Sequence, residues 1–314
     1  MKASSPHRSS QSWPSTALCL YDIDAPYVLF HGGLGDSNPE RRKEFENVLT
    51  KIAKQIQNTL KRSPTMKATD LATLGVHCLE DHPLFNAGLG SKLQKDGIAR
   101  LSGSLMDGKS QRFASVANIQ RVKNPSDMVK LLMKERDRNL AALEANQWAF
   151  SHGIRLTSPI TERRRAEWER KLKGKTGTVG CVALDALLRT AACTSTGGKG
   201  FEVPGRVSDS CTPAGNFANR SGAISCTGIG EDILEVSAAS AIATRLEDGQ
   251  NLANAVTRTI YPHVKSRGFG LIALSARREA CVHATGGTLA FALVTRNRIK
   301  VGTTPEDWKQ IVRA

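Results

Sequence analysis

Thr178 is the residue of this sequence with the most chemistry within reach. It follows Gly177 and opens the run Val179-Gly180-Cys181-Val182-Ala183-Leu184, whose small and β-branched residues read as a buried strand. As an internal residue its hydroxyl has no base beside it. If the Gly177–Thr178 bond is cut, an α-amine appears on the same residue with a reference pKa of about 7.7–8.0, so a good fraction is unprotonated near neutrality. That amine can then serve as the general base for its own hydroxyl. Gly177 suits the cut, because glycine adopts the strained backbone that brings its carbonyl to the Thr178 hydroxyl. Gly-Thr is a common dipeptide, so the case needs further residues.

Those residues lie in the motif around Thr178 itself, three later motifs and two earlier ones. Gly177-Thr178-Val179-Gly180 is followed by Thr194-Ser195-Thr196-Gly197-Gly198, by Gly205-Arg206-Val207-Ser208-Asp209-Ser210, and by Ser225-Cys226-Thr227-Gly228-Ile229-Gly230-Glu231. Upstream stand Phe30-His31-Gly32-Gly33 and Pro83-Leu84-Phe85-Asn86-Ala87-Gly88. In this order they closely resemble the plant-type asparaginase / isoaspartyl peptidase family of N-terminal-nucleophile hydrolases, over about residues 26–300. The resemblance implies hydrolysis of β-aspartyl amide bonds, in isoaspartyl dipeptides and L-asparagine, with release of aspartate. It implies Thr178 as nucleophile after self-cleavage between Gly177 and Thr178, and Thr196 as the threonine that tunes its hydroxyl and amine. Thr227 and the backbone N–H of Gly228 would form the oxyanion hole. Arg206 would clamp the substrate α-carboxylate, a task suited to a guanidinium fork. Asp209, helped by the Gly230 carbonyl, would hold the ammonium, and Asn86 would support the site. No catalytic cofactor is implied, but a structural sodium ion held by backbone carbonyls around Leu79–Leu89 is. The glycosylasparaginases and threonine aspartases carry Asp before the nucleophile, so Gly177 places the resemblance in the plant-type branch. Three stretches depart from the family pattern: Leu34, Arg100-Leu101-Ser102-Gly103-Ser104 before Met106-Asp107-Gly108, and His283-Ala284-Thr285-Gly286-Gly287-Thr288.

Each motif has a plainer reading. Arg206 and Asp209 stand three apart and could be a surface ion pair worth under ~1 kcal/mol. Thr196 and Thr227 could be ordinary strand-end threonines. Gly228-Ile229-Gly230 lacks the further Gly or Lys-Ser/Thr of a phosphate loop. His31 reads as structural rather than as a base, and the histidines make no metal-ligand spacing. The seven cysteines are odd in number, form no CxxC, and read as reduced core thiols, with zinc disfavoured for the same reason of spacing.

Positioning these residues requires a set of elements. Tyr27-Val28-Leu29-Phe30 reads as a buried strand turned by His31-Gly32-Gly33. Ser37-Asn38-Pro39-Glu40 reads as a capping box with Ser37 as N-cap, ahead of Phe45, Val48, Leu49, Ile52, Ile56 and Leu60 at helical spacing. A second helix starts at Thr69-Asp70, strands are expected within 91–117, and a third helix opens at Asn124-Pro125. Thr178–Leu184 and Ala191–Thr196 form a hairpin across Asp185–Arg189. Ala223–Cys226 is a further strand, followed by one long helix carrying Ile233 to Leu246 and a shorter one over about Leu252–Tyr261. Leu271–Ser275, Ala280–His283 and Leu289–Val294 close the chain as strands. Elements in blocks, without strict βαβα alternation, favour an α+β fold of stacked antiparallel sheets flanked by helices. With the resemblance, the expectation is the four-layer αββα sandwich of the N-terminal-nucleophile hydrolases.

At 314 residues with 40% apolar content the chain can bury a sizeable core, and no apolar run approaches the ~20 residues of a membrane span. Residues 1–25 lack the apolar core of a signal peptide and read as a disordered N-terminal segment, and the chain as cytoplasmic. Residues 26–177 would be the α subunit and 178–314 the β subunit of one domain, the resemblance implying that two such pairs join as a dimer. The net charge is +15, and 155–177, a flexible basic linker by composition, holds 8 basic and 3 acidic residues. A basic stretch can attract nucleic acid, but with a single aromatic, Trp168, it reads first as a solvated face, so a nucleic-acid partner is disfavoured. The alternatives are a cleaved relative acting on another β-aspartyl amide, and a non-catalytic protein that binds nucleic acid through this linker.

Overall fold

The structure is a computed structural model that describes residues 16–35, 38–170, 177–261 and 268–313. Strand β1 (Cys19–Leu20) leads to β2 (Tyr27–Gly35), then helices α1 (Pro39–Arg62) and α2 (Ala68–Glu80). Strands β3 (Leu101–Asp107) and β4 (Arg112–Ile119) form a hairpin, followed by α3 (Pro125–Leu132), β5 (Asn139–Ala141), α4 (Ala142–Ser151) and α5 (Glu162–Glu169). Beyond Thr178 come β6 (Val179–Leu184), β7 (Thr190–Thr196), β8 (Asn216–Asn219) and β9 (Gly222–Gly228). Helices α6 (Gly230–Glu235), α7 (Ala238–Glu247) and α8 (Leu252–Ile260) follow, then β10 (Phe269–Ser275), β11 (Glu279–Ala284), β12 (Thr288–Thr295), β13 (Ile299–Gly302) and α9 (Pro305–Arg313).

The strands make two sheets. One has eight strands in the order β13-β12-β2-β6-β7-β3-β4-β5, the other five in the order β1-β11-β10-β9-β8. They stack face to face, with β6 and β7 against β9, and β2 against β10. Three apolar layers glue the assembly. Leu49, Ile56, Leu71 and Val76 of α1 and α2 bury against Val28, Phe30 and Val179 on the outer face of the large sheet. Between the sheets lie Tyr27, Leu29, Val182, Ile272 and Phe291. On the far side, Ile242, Leu246 and Val256 of α7 and α8 cover Ile224, Leu271 and Ala273. The result is the αββα order expected from the sequence. β2 and β6 carry no polar alternation because both faces of their sheet are covered, which is why they read as continuous apolar runs.

Several expectations need correction. The N-terminal segment is not structureless up to residue 25: Ala17, Cys19 and Ile23 are buried, β1 pairs with β11, and the Trp308 indole donates to the Leu18 carbonyl. Residues 1–15 lie outside the described residues, as does Ser37. The α1 cap is Asn38, whose side chain accepts from the Glu40 and Arg41 amides. The stretch read as flexible linker carries α5, capped by Thr161 and anchored by Arg164, which is only 3% exposed. Arg164 donates to the Gly90 and Leu84 carbonyls and pairs with Glu167, so one of the supposed linker charges is an internal strut. Residues 171–176 lie outside the described residues. The single long helix after β9 is two, α6 and α7, because Ser237 between them takes a left-handed backbone, φ +50°. Residues 91–100 form no strand. The short elements β1, β5, β8, β13, α4 and α9 were not anticipated from periodicity.

Candidate active site

Thr178 stands immediately before β6, between β2 and β7 in the large sheet, and is 4% exposed. Its hydroxyl donates to the Thr196 hydroxyl at 3.3 Å, and the Gly198 amide donates to the same Thr196 oxygen at 3.1 Å. Thr196 therefore accepts from two sides and fixes where the Thr178 oxygen sits. The β6–β7 register, Val179 opposite Ser195 and Leu184 opposite Thr190, holds this pair together at one end of the hairpin.

The chain runs on through Gly177, and close backbone packing surrounds the junction. Gly33, at φ +96°, lies so near that a side chain there would meet the Thr178 carbonyl oxygen at 2.8 Å and the Gly177 Cα at 2.9 Å. A side chain on Gly177 would reach the Asn86 Cβ at 3.1 Å. Asn86 uses both ends of its amide, donating to the Gly198 carbonyl at 2.6 Å and accepting from the Lys92 amide at 2.9 Å. Asn86 thus shapes the Gly197-Gly198 turn beyond Thr196. Leu34, next to Gly33, reaches toward the Thr227 methyl over Gly270, where a side chain would meet both within 3.1 Å. The β2 turn therefore spans from the Gly177–Thr178 junction to Thr227.

Thr227, near the end of β9, is fully buried, and its hydroxyl has no hydrogen-bond partner among the described residues. A buried hydroxyl without a partner loses ~1–3 kcal/mol of hydrogen bonding, which an acceptor placed beside it would restore. Gly228 follows at φ +139°, where a side chain would strike the Gly268 carbonyl.

Asp209 and Arg206 flank Gly230. The position a Gly230 side chain would take lies 2.5 Å from the Arg206 Nη2 and 2.5 Å from the Asp209 Oδ1. Asp209 is 2% exposed, accepts from the Ser208 hydroxyl on Oδ1, and has no partner on Oδ2 among the described residues. Burial pushes its carboxyl up to about 6 against the opposing pull of Arg206. Arg206 is not paired with Asp209 as the three-residue spacing allowed. It makes a two-pronged contact with Glu231, Nε to Oε1 at 3.1 Å and Nη2 to Oε2 at 3.0 Å. Glu231 belonged to a recognisable motif but had no role assigned from it.

A buried polar chain lies behind Thr178 and was not foreseen. The His31 Nε2 meets the Ser225 hydroxyl at 3.1 Å, Ser225 meets the Thr194 hydroxyl at 2.7 Å, and Thr194 donates to the Asn216 Oδ1 at 2.8 Å. The Asn216 amide nitrogen is committed to the Ala192 carbonyl, so its oxygen faces Thr194. Counting protons back from that oxygen, Thr194 donates to Asn216, Ser225 donates to Thr194, and the His31 Nε2–H donates to Ser225. Burial pushes His31 down to about 3, with the Thr178 backbone pulling the other way, so the ring is neutral at physiological pH. His31 is thereby a structural link between the two sheets, as its sequence context suggested.

Among the described residues no three of His, Cys, Asp and Glu gather as metal ligands. All seven cysteines are buried and unbridged. No described helix is long and apolar enough to cross a membrane.

Comparison with known proteins agrees with this geometry. The family model described as asparaginase matches residues 24–176 and 169–303. The isoaspartyl peptidase/L-asparaginase of Synechocystis sp. is 38% identical over 270 residues, covering 79% of this chain and 82% of that protein. That of Rattus norvegicus is 32% identical over 309 residues, covering 93% and 92%. The isoaspartyl peptidase of Salmonella typhimurium is 34% identical over 277 residues, covering 79% and 88%.

Proposed function

The chain belongs to the asparaginase family, and on that footing we propose that it is a self-cleaving threonine amidohydrolase that releases L-aspartate from β-aspartyl dipeptides and L-asparagine. The observation that carries the reading is the Thr178 hydroxyl, buried at the Gly177–Thr178 junction and bonded to Thr196. In the first reaction the Thr178 oxygen attacks the Gly177 carbonyl carbon. The C–N bond breaks as the C–O bond forms, the amide nitrogen takes the proton, and water then splits the resulting ester. The products are a carboxylate on Gly177 and a free amine on Thr178.

In the second reaction that amine accepts the hydroxyl proton as the oxygen attacks the substrate β-carbonyl. The Thr227 hydroxyl and the Gly228 N–H stabilise the oxyanion, a donor of this kind contributing about 10²–10³-fold in rate. The amine leaves with the proton, and water hydrolyses the aspartyl ester. Arg206 holds the α-carboxylate, Asp209 and the Gly230 carbonyl hold the ammonium, and Asn86 keeps the turn after Thr196 in place. The Asp209 oxygen and the Thr227 hydroxyl, both buried and without a partner among the described residues, support these assignments. The carbonyls around Leu79–Leu89 remain our candidate cradle for a structural sodium ion. The loop is wound so tightly that a side chain on Gly88 would strike the Glu80 carbonyl, which gathers its backbone oxygens. After the cut the two pieces form an αβ unit, and two units pair.

Mass spectrometry of the incubated protein, with aspartate release assayed on the same sample, tests the reading. The wild-type chain divides between Gly177 and Thr178 and becomes active. Thr178→Ala stays whole and loses at least about 10⁴-fold in turnover. A wild-type chain that stays whole through long incubation, or aspartate release by Thr178→Ala, overturns it.

A further inference from the structure

Glu231 meets two cations at once. Beside its two-pronged contact with Arg206, its Oε1 accepts from the Lys199 Nζ at 2.9 Å. A single exposed ion pair contributes little, but this one is bidentate, shared by three charges, and built on a guanidinium only 13% exposed. The edge of Arg206 that Glu231 uses decides what it can do. A guanidinium carries five N–H groups, and Glu231 takes one on Nε and one on Nη2. One hydrogen of Nη1 and the second hydrogen of Nη2 form another edge, a fork that can grip a carboxylate with two parallel bonds. Because Nη2 and the Asp209 Oδ1 both border Gly230, that free edge lies beside the carboxyl that awaits an ammonium. An α-amino acid head carries its carboxylate and ammonium on one carbon, and this arrangement matches it.

We propose that Glu231, steadied by Lys199, is a positioning residue that aims the free edge of Arg206 at the α-carboxylate of the substrate. This rests on reading Arg206 as the carboxylate clamp. Lys199 adds a second function. Its own amide donates to the Glu202 Oε1 at 3.2 Å, which holds the turn that starts at Thr196 and Gly198. The Lys199–Glu231–Arg206 bridge thus ties the loop beyond the nucleophile's partner to the clamp. Burial raises the Glu231 carboxyl, but the hydrogen bonds from Arg206 and Lys199 outweigh it and hold it at about 2, so the bridge stays charged through any practical assay pH.

Steady-state kinetics on the matured full-length protein with β-aspartyl-leucine and with L-asparagine test the proposal. Glu231→Gln raises KM about tenfold while kcat stays within about twofold, the signature of lost ground-state and transition-state binding in equal measure. Glu231→Asp recovers part of the affinity, Lys199→Met raises KM about threefold, and all three variants still divide at Gly177–Thr178. Arg206→Ala combined with Glu231→Gln is no worse than Arg206→Ala alone, because the two act through one contact. An unchanged or lowered KM in both Glu231→Gln and Lys199→Met, or additive losses in the double variant, overturns the proposal. If Arg206→Ala raises KM and the Glu231 variants do not, the positioning role alone fails. If Arg206→Ala itself leaves KM unchanged, the clamp reading beneath it fails.

Discussion

In the mechanism proposed above, Asp209 and the amine of a freed Thr178 titrate on either side of neutrality, and both must be unprotonated for turnover. The Asp209 carboxyl, lifted by burial to about 6, must be ionised to hold an ammonium. Its charge is present above that value and is lost as the pH falls through it. The Thr178 amine, with a reference value of about 7.7–8.0, must be neutral to take the hydroxyl proton. While the substrate ammonium keeps its proton, log(kcat/KM) for a β-aspartyl dipeptide therefore falls with slope one from about pH 8 to about pH 6 and steepens to slope two below. A profile with slope one all the way to pH 5 removes Asp209 from the binding step. Candidate residues of this kind were picked out in the sequence through the order of motifs that resembles the family, rather than by residue type alone. Thr178, Thr196, Arg206, Asp209 and Thr227 all belong to such motifs. The contacts of Glu231 with Arg206 and Lys199 were not legible. Lys199 and Arg206 lie close in sequence but Glu231 lies 25 residues beyond Arg206, and only the fold sets the three side chains against one another. The same holds for Ser225, Thr194 and Asn216, whose hydroxyls and amide gain a function only where two sheets meet.

The β6–β7 hairpin and β9 form the platform under the site, and one small residue sets their distance. Gly180 lies opposite His31 in the β2–β6 ladder. A methyl group there would fall on the Ser225 hydroxyl and within 2.6 Å of the His31 Nε2. Gly180→Ala must push β9 away from the large sheet or break the polar chain from His31 to Asn216. Either outcome costs about 3 kcal/mol and lowers Tm by roughly 5–10 °C. Since Thr178 is two residues away, self-cleavage slows as well. Calorimetry and timed mass spectra measure both effects, and wild-type values for both would mean that the inter-sheet contact does not position Thr178. The hairpin, α1, α2, α3 and the closing strands were legible from apolar periodicity, since each buries a continuous face. The division between α6 and α7 was not, because the apolar positions from Ile233 to Leu246 fit one helix and only the left-handed turn at Ser237 breaks it. α5 escaped notice for the opposite reason. It is held by the buried guanidinium of Arg164, and composition gives a charged segment no sign that one of its arginines points inward.

The whole molecule is interleaved across the bond proposed to break. In the large sheet, β2 comes from before Gly177 yet lies between β12 and β6, which come from after it. β7, from after the bond, pairs with β3, from before it. β1 adds a similar junction in the small sheet through β11, and the Trp308 indole reaches back to the Leu18 carbonyl. Tyr27, Val28, Leu29 and Phe30 of β2 are fully buried, so withdrawing that strand alone would bare apolar surface on both faces of the sheet and strand two ladders of backbone hydrogen bonds. Cleavage at one peptide bond removes none of these contacts. The cut protein should therefore elute from a sizing column at the volume of the uncut Thr178→Ala variant. Under denaturing conditions the mass spectrum should resolve two chains that together equal the 33.9 kDa chain plus one water. Because ladders and apolar layers hold the pieces, rather than surface ion pairs, about 1 M salt leaves them together and denaturant parts them. Separate elution of the two pieces without denaturant would mean that the interleaved strands do not hold once the chain is cut.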